Sequence, residues 1–146
     1  GEEPVSIYAV GSALVDPEIG KAGDVDTAAV TLTTASGKIC QISCSRRATY
    51  GYDQRIEVHG SGGMLRAANQ LENTVEVANG SGFSAAPAQN FFLERYEAAY
   101  RAEIAYFAAQ VQAGQALTPG ITDGLRAQVL ADAAAQSLAD AVPIQL

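Results

Sequence analysis

The feature that most constrains the fold is the kind of connection that joins strand-like segments in residues 1–90. These connections contain glycine, proline and polar residues, and none of them has the sequence pattern of a helix. Parallel strands need a crossover of a dozen or more residues, whereas antiparallel strands can follow one another through tight turns. The sequence therefore predicts a mostly antiparallel sheet.

Six segments have the alternating or β-branched pattern of strands. They are residues 5–10, 25–34, 38–46, 52–59, 64–68 and 73–78. Residues 35–37 predict a tight hairpin, residues 16–24 a turn, and residues 79–90 a polar loop. On the third strand, Cys40, Ile42 and Cys44 share one face of the sheet.

The last third of the chain has the pattern of two helices. Apolar residues recur at steps of three and four over 91–111, and a second, alanine-rich pattern covers 122–139. Gly114 is placed to end the first helix, and Thr122 with Asp123 to begin the second. Residues 142–146 could add a short final strand. We therefore expect an α+β fold: an open, mostly antiparallel sheet of about six strands with the two C-terminal helices packed on one face.

Length and composition limit the class of protein. The chain has 146 residues, enough for a single domain over 1–146, and 48% hydrophobic residues exclude intrinsic disorder. A net charge of −7 argues against a nucleic-acid partner, and no apolar stretch is long enough to predict a membrane partner. The chain opens with Gly-Glu-Glu-Pro rather than methionine, so we expect it to be part of a longer protein.

Several residues that could carry chemistry lack the surroundings they would need. Cys40 and Cys44 lie about 13 Å apart along one strand, too far for a disulfide, and we expect reduced apolar fillers in a cytoplasmic protein. No second Cys or His pair completes a metal site. His59 is the only histidine and ends a strand. The glycines of residues 60–63 lead into a strand rather than a helix, so no nucleotide site is predicted.

The segment Arg46–Arg55 is the strongest candidate for a binding site. It combines three arginines, two tyrosines, an aspartate and a glutamine around Gly51. Such groups can donate and accept hydrogen bonds with a polyhydroxylated ligand. If the strand continues through Gly51, Tyr50 and Tyr52 share a face. The alternative is a strand end with ordinary tyrosine burial and solvated arginines.

Several motifs of the sequence occur together, in the same order, in one known family. They are residues 50–58 (Tyr-Gly-Tyr-Asp-Gln-Arg-Ile-Glu-Val), the following Gly-Ser-Gly-Gly-Met-Leu, residues 92–103 and residues 122–127. The chain resembles the C-terminal domain of the Gfo/Idh/MocA oxidoreductases, and most of all that of inositol 2-dehydrogenases. The resemblance implies an additional N-terminal Rossmann domain that binds NAD or NADP. It also implies an α+β domain that closes the substrate site and contacts other subunits.

The same resemblance implies roles for three tyrosines. Tyr52, and less directly Tyr50, correspond to residues near the polyol substrate, and Tyr100 matches a tyrosine of the family's helix. The family's glycine-rich cofactor loop, catalytic lysine and Asp-x-x-x-His helix have no counterpart in this sequence. We therefore expect no catalytic, cofactor-binding or metal-binding residue within the chain.

These observations predict the C-terminal substrate and oligomerisation domain of an NAD(P)-dependent dehydrogenase that oxidises a cyclitol or sugar hydroxyl. The domain would be inactive alone and would form a homo-oligomer through the open face of its sheet. Two alternatives remain: a dehydrogenase of the same family with another sugar substrate, or a stand-alone α+β dimerisation or ligand-binding domain.

Overall fold

The computed structural model describes residues 2–146 and confirms the α+β class, with antiparallel strands followed by two long helices. The strands are β1 (Pro4–Ser12), β2 (Thr27–Thr34), β3 (Ile39–Ser45), β4 (Ile56–Gly60), β5 (Gly63–Ala67), β6 (Glu76–Asn79), β7 (Gly82–Ala85) and β8 (Ile144–Gln145). The helices are α1 (Pro17–Lys21), α2 (Phe92–Ala113) and α3 (Ile121–Asp140). Among the residues described, no helix is both long and apolar enough to cross a membrane.

The chain forms two compact units, the first of which comprises residues 2–47 and Ala116–Leu146. Its sheet has four antiparallel strands in the order β3-β2-β1-β8. Helix α3 packs on one face of this sheet, where Ile7, Leu32 and Ala133 form a buried cluster. Alternation along the strands places Ile7 and Leu32 on the helix-covered face and Tyr8 and Thr31 on the other.

The second unit, Ala48–Gln115, holds two separate hairpins, β4–β5 and β6–β7, together with α2. The strands are thus divided among three sheets rather than joined in the single sheet of about six strands that the sequence predicts. In the first unit, α3 is the long helix that covers the sheet, whereas α2 belongs to the second unit. The apolar periodicity locates each helix but does not specify which strands it covers.

Two segments adopt local structures that differ from the predictions. Residues 79–90 contain β7, because Gly80 and Ser81 form a two-residue hairpin turn rather than the start of a loop. The predicted turn at 16–24 contains α1, which Asp16 caps by accepting a hydrogen bond from the Glu18 amide at 2.9 Å. The Asp-Pro pair is therefore an N-cap followed by proline in the first helical turn.

The predicted helix ends are largely confirmed. Gly114 ends α2 in the left-handed conformation, with φ 62°. Helix α3 begins one residue before the predicted start, so its N-cap is Gly120 rather than Thr122. The Asp123 carboxylate accepts a hydrogen bond from the Gly120 amide at 2.8 Å, which completes the first turn. The short final strand is present as β8, paired with β1.

Ser137 of α3 forms a buried hydrogen bond to the backbone of β1. Its side chain is fully buried; Oγ accepts a hydrogen bond from the Ala9 amide at 3.0 Å and donates one to the Val142 carbonyl at 2.7 Å. Strand β8 pairs only with Ser6 and Ile7, so Ser137 satisfies a β1 amide that β8 does not reach.

We expect Ser137→Ala to lower the free energy of unfolding by about 1–3 kcal/mol, because it leaves a buried amide and a carbonyl without partners. Urea denaturation followed by circular dichroism measures the change. Gln136→Ala, at the adjacent exposed position of α3, is the control and should change stability little. Equal stability of both variants would contradict this role.

Candidate functional site

The segment between β3 and β4 is held in place by its backbone. Gly51 has a φ of +122°, and a Cβ added there would lie 2.7 Å from the Ala88 carbonyl oxygen. The next residue, Tyr52, donates its backbone N–H to the Gln89 carbonyl at 2.7 Å. The strand predicted over 52–59 therefore begins only at Ile56, because residues 52–55 bond to a loop and to side chains instead of a neighbouring strand.

Three tyrosine rings stand in a row in the second unit. The centroids of the Tyr52 and Tyr96 rings are 5.6 Å apart at an interplanar angle of 79°, and those of Tyr96 and Tyr100 are 5.9 Å apart at 60°. Both pairs are edge-to-face contacts, the favoured geometry for aromatic rings. Hydrogen bonding to the Tyr52 hydroxyl, with added desolvation, raises the pKa of Tyr96. We call Tyr52, Tyr96 and Tyr100 the tyrosine row.

A carboxylate network fixes the residues on both sides of Tyr52. The Asp53 carboxylate accepts four hydrogen bonds. Two come from Arg55, from Nε at 2.7 Å and Nη2 at 2.8 Å; the others come from the Tyr50 hydroxyl at 2.5 Å and from Asn69 Nδ2 at 2.8 Å. The Asn69 side-chain oxygen also accepts the Gln54 amide at 2.8 Å. Hydrogen bonds from Arg55, Tyr50 and Asn69 hold the pKa of Asp53 far below its usual range, and Asp53 raises the pKa of Tyr50. The network therefore keeps Asp53 ionised and Tyr50 neutral.

Three buried polar atoms of the second unit have no hydrogen-bond partner within the part of the chain that the structure describes. They are Gln54 Oε1, Gln89 Oε1 and Arg95 Nε. Gln54 follows Asp53 in the chain, Gln89 accepts the Tyr52 amide, and the Arg95 guanidinium carbon lies 5.5 Å from the Tyr96 ring centroid. Two acceptors and one donor are thus unsatisfied among the described residues, which is unfavourable for buried polar groups.

The structure separates the three tyrosines selected from the sequence. Tyr52 and Tyr100 both belong to the tyrosine row, joined through Tyr96, whereas Tyr50 bonds to Asp53 and is 56% exposed. Sequence reasoning did not select Tyr96, Gln89, Arg95 or Asn69. The spacing of four between Tyr96 and Tyr100 on a helix was an available signal for the first of these.

The other candidate residues lie in open surroundings. His59 Nε2 is 2.7 Å from Glu57 Oε1 on an exposed strand. Cys40 and Cys44 are free, as predicted, but they are exposed on β3 and therefore do not fill space in the interior. Residues 2–146 contain no group of three or more His, Cys, Asp or Glu side chains that could hold a metal ion. Ser61 and Gly62 form the β4–β5 turn, so this glycine cluster does not fit a dinucleotide-binding loop.

The first unit contains a cavity of about 930 Å³, lined in part by Ile19, Asp26, Arg46 and Arg47. Asp26 is 4% exposed. Its carboxylate accepts hydrogen bonds from the backbone amides of Leu14 at 2.9 Å, Val15 at 2.8 Å and Asp16 at 2.8 Å, and from the Thr27 hydroxyl at 2.9 Å. Desolvation opposes ionisation, but these hydrogen bonds outweigh it and lower the pKa of Asp26 to about 2. Asp26 therefore organises the loop that carries α1.

We expect Asp26→Asn to lower the melting temperature at neutral pH, because an amide cannot accept all of these hydrogen bonds. The carboxylate titrates near 3.8 without the fold and near 2 within it, so its stabilisation is complete above about pH 4 and is lost as the pH falls toward 2. The difference in melting temperature between wild type and variant should therefore shrink over that interval. A difference that stays constant down to pH 2 would contradict the assignment.

Comparisons with known proteins agree with the resemblance. The GFO/IDH/MocA C-terminal domain family matches residues 1–66. An inositol 2-dehydrogenase of Rhizobium meliloti (strain 1021) is 52% identical over 96% of this chain and 42% of its own length. The myo-inositol dehydrogenase of Corynebacterium glutamicum ATCC 13032 aligns over 99% of this chain and 44% of its own, with 41% identity and a TM-score of 0.91.

A third similar structure is the scyllo-inositol dehydrogenase of Lactobacillus casei with bound NAD(H) and scyllo-inositol. It is 28% identical over 99% of this chain and 43% of its own, with a TM-score of 0.82. The chain thus spans less than half the length of each of these proteins. Because the similarity runs along nearly the whole chain and includes a direct family match, the chain belongs to the Gfo/Idh/MocA family, as a C-terminal domain similar to that of inositol 2-dehydrogenases.

Proposed function

We propose that the chain is the C-terminal substrate and oligomerisation domain of an NAD-dependent dehydrogenase that oxidises a hydroxyl group of a cyclitol. The observation that carries the proposal is the tyrosine row together with the unpartnered atoms Gln54 Oε1, Gln89 Oε1 and Arg95 Nε. A cyclitol presents hydroxyl groups that both donate and accept hydrogen bonds, so it can satisfy acceptors and donors of this kind at once.

The residues of this chain would bind and orient the substrate. The Tyr52 phenol can donate a hydrogen bond to a substrate hydroxyl or accept one from it. The unpaired atoms Gln54 Oε1, Gln89 Oε1 and Arg95 Nε are buried, so they join it only where substrate binding exposes them. The ring faces of the tyrosine row offer apolar area to the C–H groups of a cyclitol. The carboxylate network fixes the segment that carries Tyr52, so less ordering is required when the substrate binds.

NAD, which the Lactobacillus casei relative binds, would accept the hydride from the substrate carbinol. The glycine cluster of this chain lies in a hairpin turn and does not fit a dinucleotide. We therefore assign the cofactor site, and the groups that remove the hydroxyl proton, to a Rossmann domain in the remainder of the protein. The resemblance does not choose between NAD and NADP; the relative favours NAD. The free Cys40 and Cys44 fit a cytoplasmic enzyme, and the net charge of −7 argues against a nucleic-acid partner.

The proposal is tested with the longer protein of which this chain forms the C-terminal part. NAD reduction is followed with myo-inositol, scyllo-inositol and glucose as alternative substrates. We expect kcat/KM to be highest for one of the inositols. A higher value for glucose would replace the cyclitol by a sugar, and no reduction of NAD or NADP with any of the three would overturn the proposed function.

We also propose that copies of the chain associate through the sheet face opposite α3. This face carries small and polar side chains with three larger apolar ones: Tyr8, Val10, Ala29, Thr31, Thr33, Ile39 and Gln41. A flat face of this kind can pack against its own copy across a twofold axis.

We expect light scattering at tens of micromolar to give a mass above the 15.1 kDa of one chain. Thr31→Arg, at the centre of the face, should lower that mass, because it places a charge inside the contact. Gln136→Arg on the exposed side of α3 is the control and should leave the mass unchanged. A clean monomer for the wild type would contradict the association.

A further inference from the structure

Asn69 holds the segment that carries Tyr52 from a distant part of the chain. It lies two residues beyond the end of β5, and its side chain bonds to residues 16 and 15 positions earlier. Its Nδ2 donates to Asp53 Oδ1 at 2.8 Å, and its Oδ1 accepts the backbone N–H of Gln54 at 2.8 Å. Both hydrogen bonds are partly buried, so water competes with them less than it does at the surface.

The chemistry of these two contacts requires an amide. An ionised carboxylate only accepts hydrogen bonds and a backbone N–H only donates, so one side chain must present a donor and an acceptor together. The Asn69 amide presents both, and its partners determine which end is nitrogen. An aspartate at this position would have nearly the same shape, but when ionised it would offer no donor to Asp53.

The other groups that bond to Asp53 are local. Arg55 and Tyr50 lie two and three residues from Asp53 in the chain, so their hydrogen bonds shape the segment without attaching it to another element. The Arg55 side chain is also 60% exposed. Asn69 therefore has a role that these two residues do not share, because its bonds join the segment to the chain that follows β5.

The residue after Asn69 supports Tyr52 from the preceding side. The Gln70 carbonyl accepts the Gln89 amide at 2.9 Å, and the Gln89 carbonyl accepts the Tyr52 amide at 2.7 Å. One short stretch of chain thus holds Tyr52 through backbone hydrogen bonds, and holds the next two residues through the Asn69 side chain.

We propose that Asn69 is a positioning residue for substrate binding, which fixes Asp53 and Gln54 so that the Tyr52 hydroxyl is ordered before the substrate arrives. This role rests on the proposed function, because it takes Tyr52 as a residue that contacts the cyclitol. Asn69 acts through the backbone of the segment and needs no contact of its own with the substrate. Without its hydrogen bonds the segment must be ordered when the substrate binds, which weakens binding.

The main test is Asn69→Asp in the longer enzyme, with the preferred inositol as substrate. At about pH 8 the new carboxylate faces Asp53 as a like charge and donates nothing, so kcat/KM should fall by about fivefold or more, mainly through KM. As the pH falls toward about 5, two adjacent carboxylates take up a proton between them, and the protonated group donates again. The ratio of variant to wild-type kcat/KM should therefore rise.

A second variant removes both hydrogen bonds without adding a charge. Asn69→Ala should lower kcat/KM to a similar extent, but its ratio to the wild type should not change between about pH 8 and pH 5. Among the groups around Asp53, Arg55 stays charged and Tyr50 stays neutral over this interval, because the pKa of each is raised. The contrast between the two variants therefore reports the group at position 69.

Asn73→Asp is the matched control in the second unit. Asn73 Oδ1 accepts the Val75 amide at 2.9 Å, and a carboxylate accepts that bond equally well, so kcat/KM should equal that of the wild type at both pH values. Combining Asn69→Asp with Tyr52→Phe tests how the effect is transmitted. The double variant should be no worse than Tyr52→Phe alone, because the phenol that Asn69 positions is already absent.

Three results would overturn the proposal: a wild-type kcat/KM for Asn69→Asp at about pH 8, a loss in that variant that does not depend on pH, or a loss that adds fully to that of Tyr52→Phe. Failure of the proposed function is a different result, namely no reduction of NAD or NADP by the wild type. In that case near-ultraviolet circular dichroism of this chain decides whether Asn69 orders Tyr52: the tyrosine signal of Asn69→Asp should differ from the wild type at about pH 8 and approach it at about pH 5.

Discussion

Replacing Gly51 by alanine is expected to displace the segment that carries Tyr52. The backbone φ of +122° is a conformation that residues with a side chain rarely adopt, and this strain alone costs about 1–3 kcal/mol. The added Cβ would also lie 2.7 Å from the Ala88 carbonyl oxygen, which belongs to the backbone and cannot rotate away. The hydrogen bond from the Tyr52 amide to the Gln89 carbonyl should therefore be lost or lengthened.

Two measurements separate these effects. Urea denaturation reports the stability of the variant, and near-ultraviolet circular dichroism reports the tyrosine environment, since the chain has no tryptophan. Gly62→Ala is the matched control, because a Cβ there would meet nothing within 4 Å and its φ lies outside the left-handed region. A Gly51→Ala variant with the stability and tyrosine spectrum of the wild type would show that the close approach to Ala88 is not required.

Elements whose sequence signal is local and repeated were predicted well. The apolar repeat over 91–111 predicted α2, found at Phe92–Ala113, and the repeat over 122–139 predicted α3, found at Ile121–Asp140. The β2–β3 hairpin was also predicted, because two strand-like runs flank a short turn that contains Gly37. In each of these cases the residues that determine the structure are neighbours in sequence.

The division of the strands among three sheets was not predictable in this way. The break between β3 and β4 involves residues 52–55, whose partners Asn69 and Gln89 are distant in the chain and lie outside regular strands. A strand pattern continues through these residues in the sequence, but Asp53 draws Tyr50, Arg55 and Asn69 into side-chain bonds. Such bonds compete with a backbone ladder and delay the start of β4 to Ile56.

The candidate site was predicted only in part, because some of its residues meet through contacts between distant parts of the chain. Tyr52 and Tyr100 were selected through the family resemblance, and the structure joins them through Tyr96. Gln89 lies in a polar loop whose composition resembles that of many surface loops, so its contact with Tyr52 had no signal in the sequence. Tyr50 is close to Tyr52 in sequence, but the turn at Gly51 directs it to Asp53 instead.

The second large effect is expected from Tyr52→Phe in the longer enzyme. If the phenol bonds to a substrate hydroxyl, its loss should lower kcat/KM for the preferred inositol by about 5- to 150-fold, equivalent to roughly 1–3 kcal/mol. The KM for NAD should stay nearly unchanged, because the proposed cofactor site lies elsewhere in the protein. Phenylalanine keeps the ring and its edge-to-face contact with Tyr96, so stability should change little.

The isolated chain offers an independent check of the same substitution. Hydrogen bonding to Tyr52 is the main cause of the raised pKa of Tyr96, so Tyr52→Phe should lower the Tyr96 pKa toward its ordinary value. A pH titration followed by nuclear magnetic resonance of ring-labelled tyrosine resolves the Tyr96 signal from those of the other tyrosines. Tyr8→Phe, in β1 of the first unit, is the control for both experiments. A changed Tyr96 titration with an unchanged kcat/KM would show that the two phenols are in contact but that this contact does not affect the reaction. Tyr52 would then be a packing residue of the tyrosine row and would not belong to the substrate site.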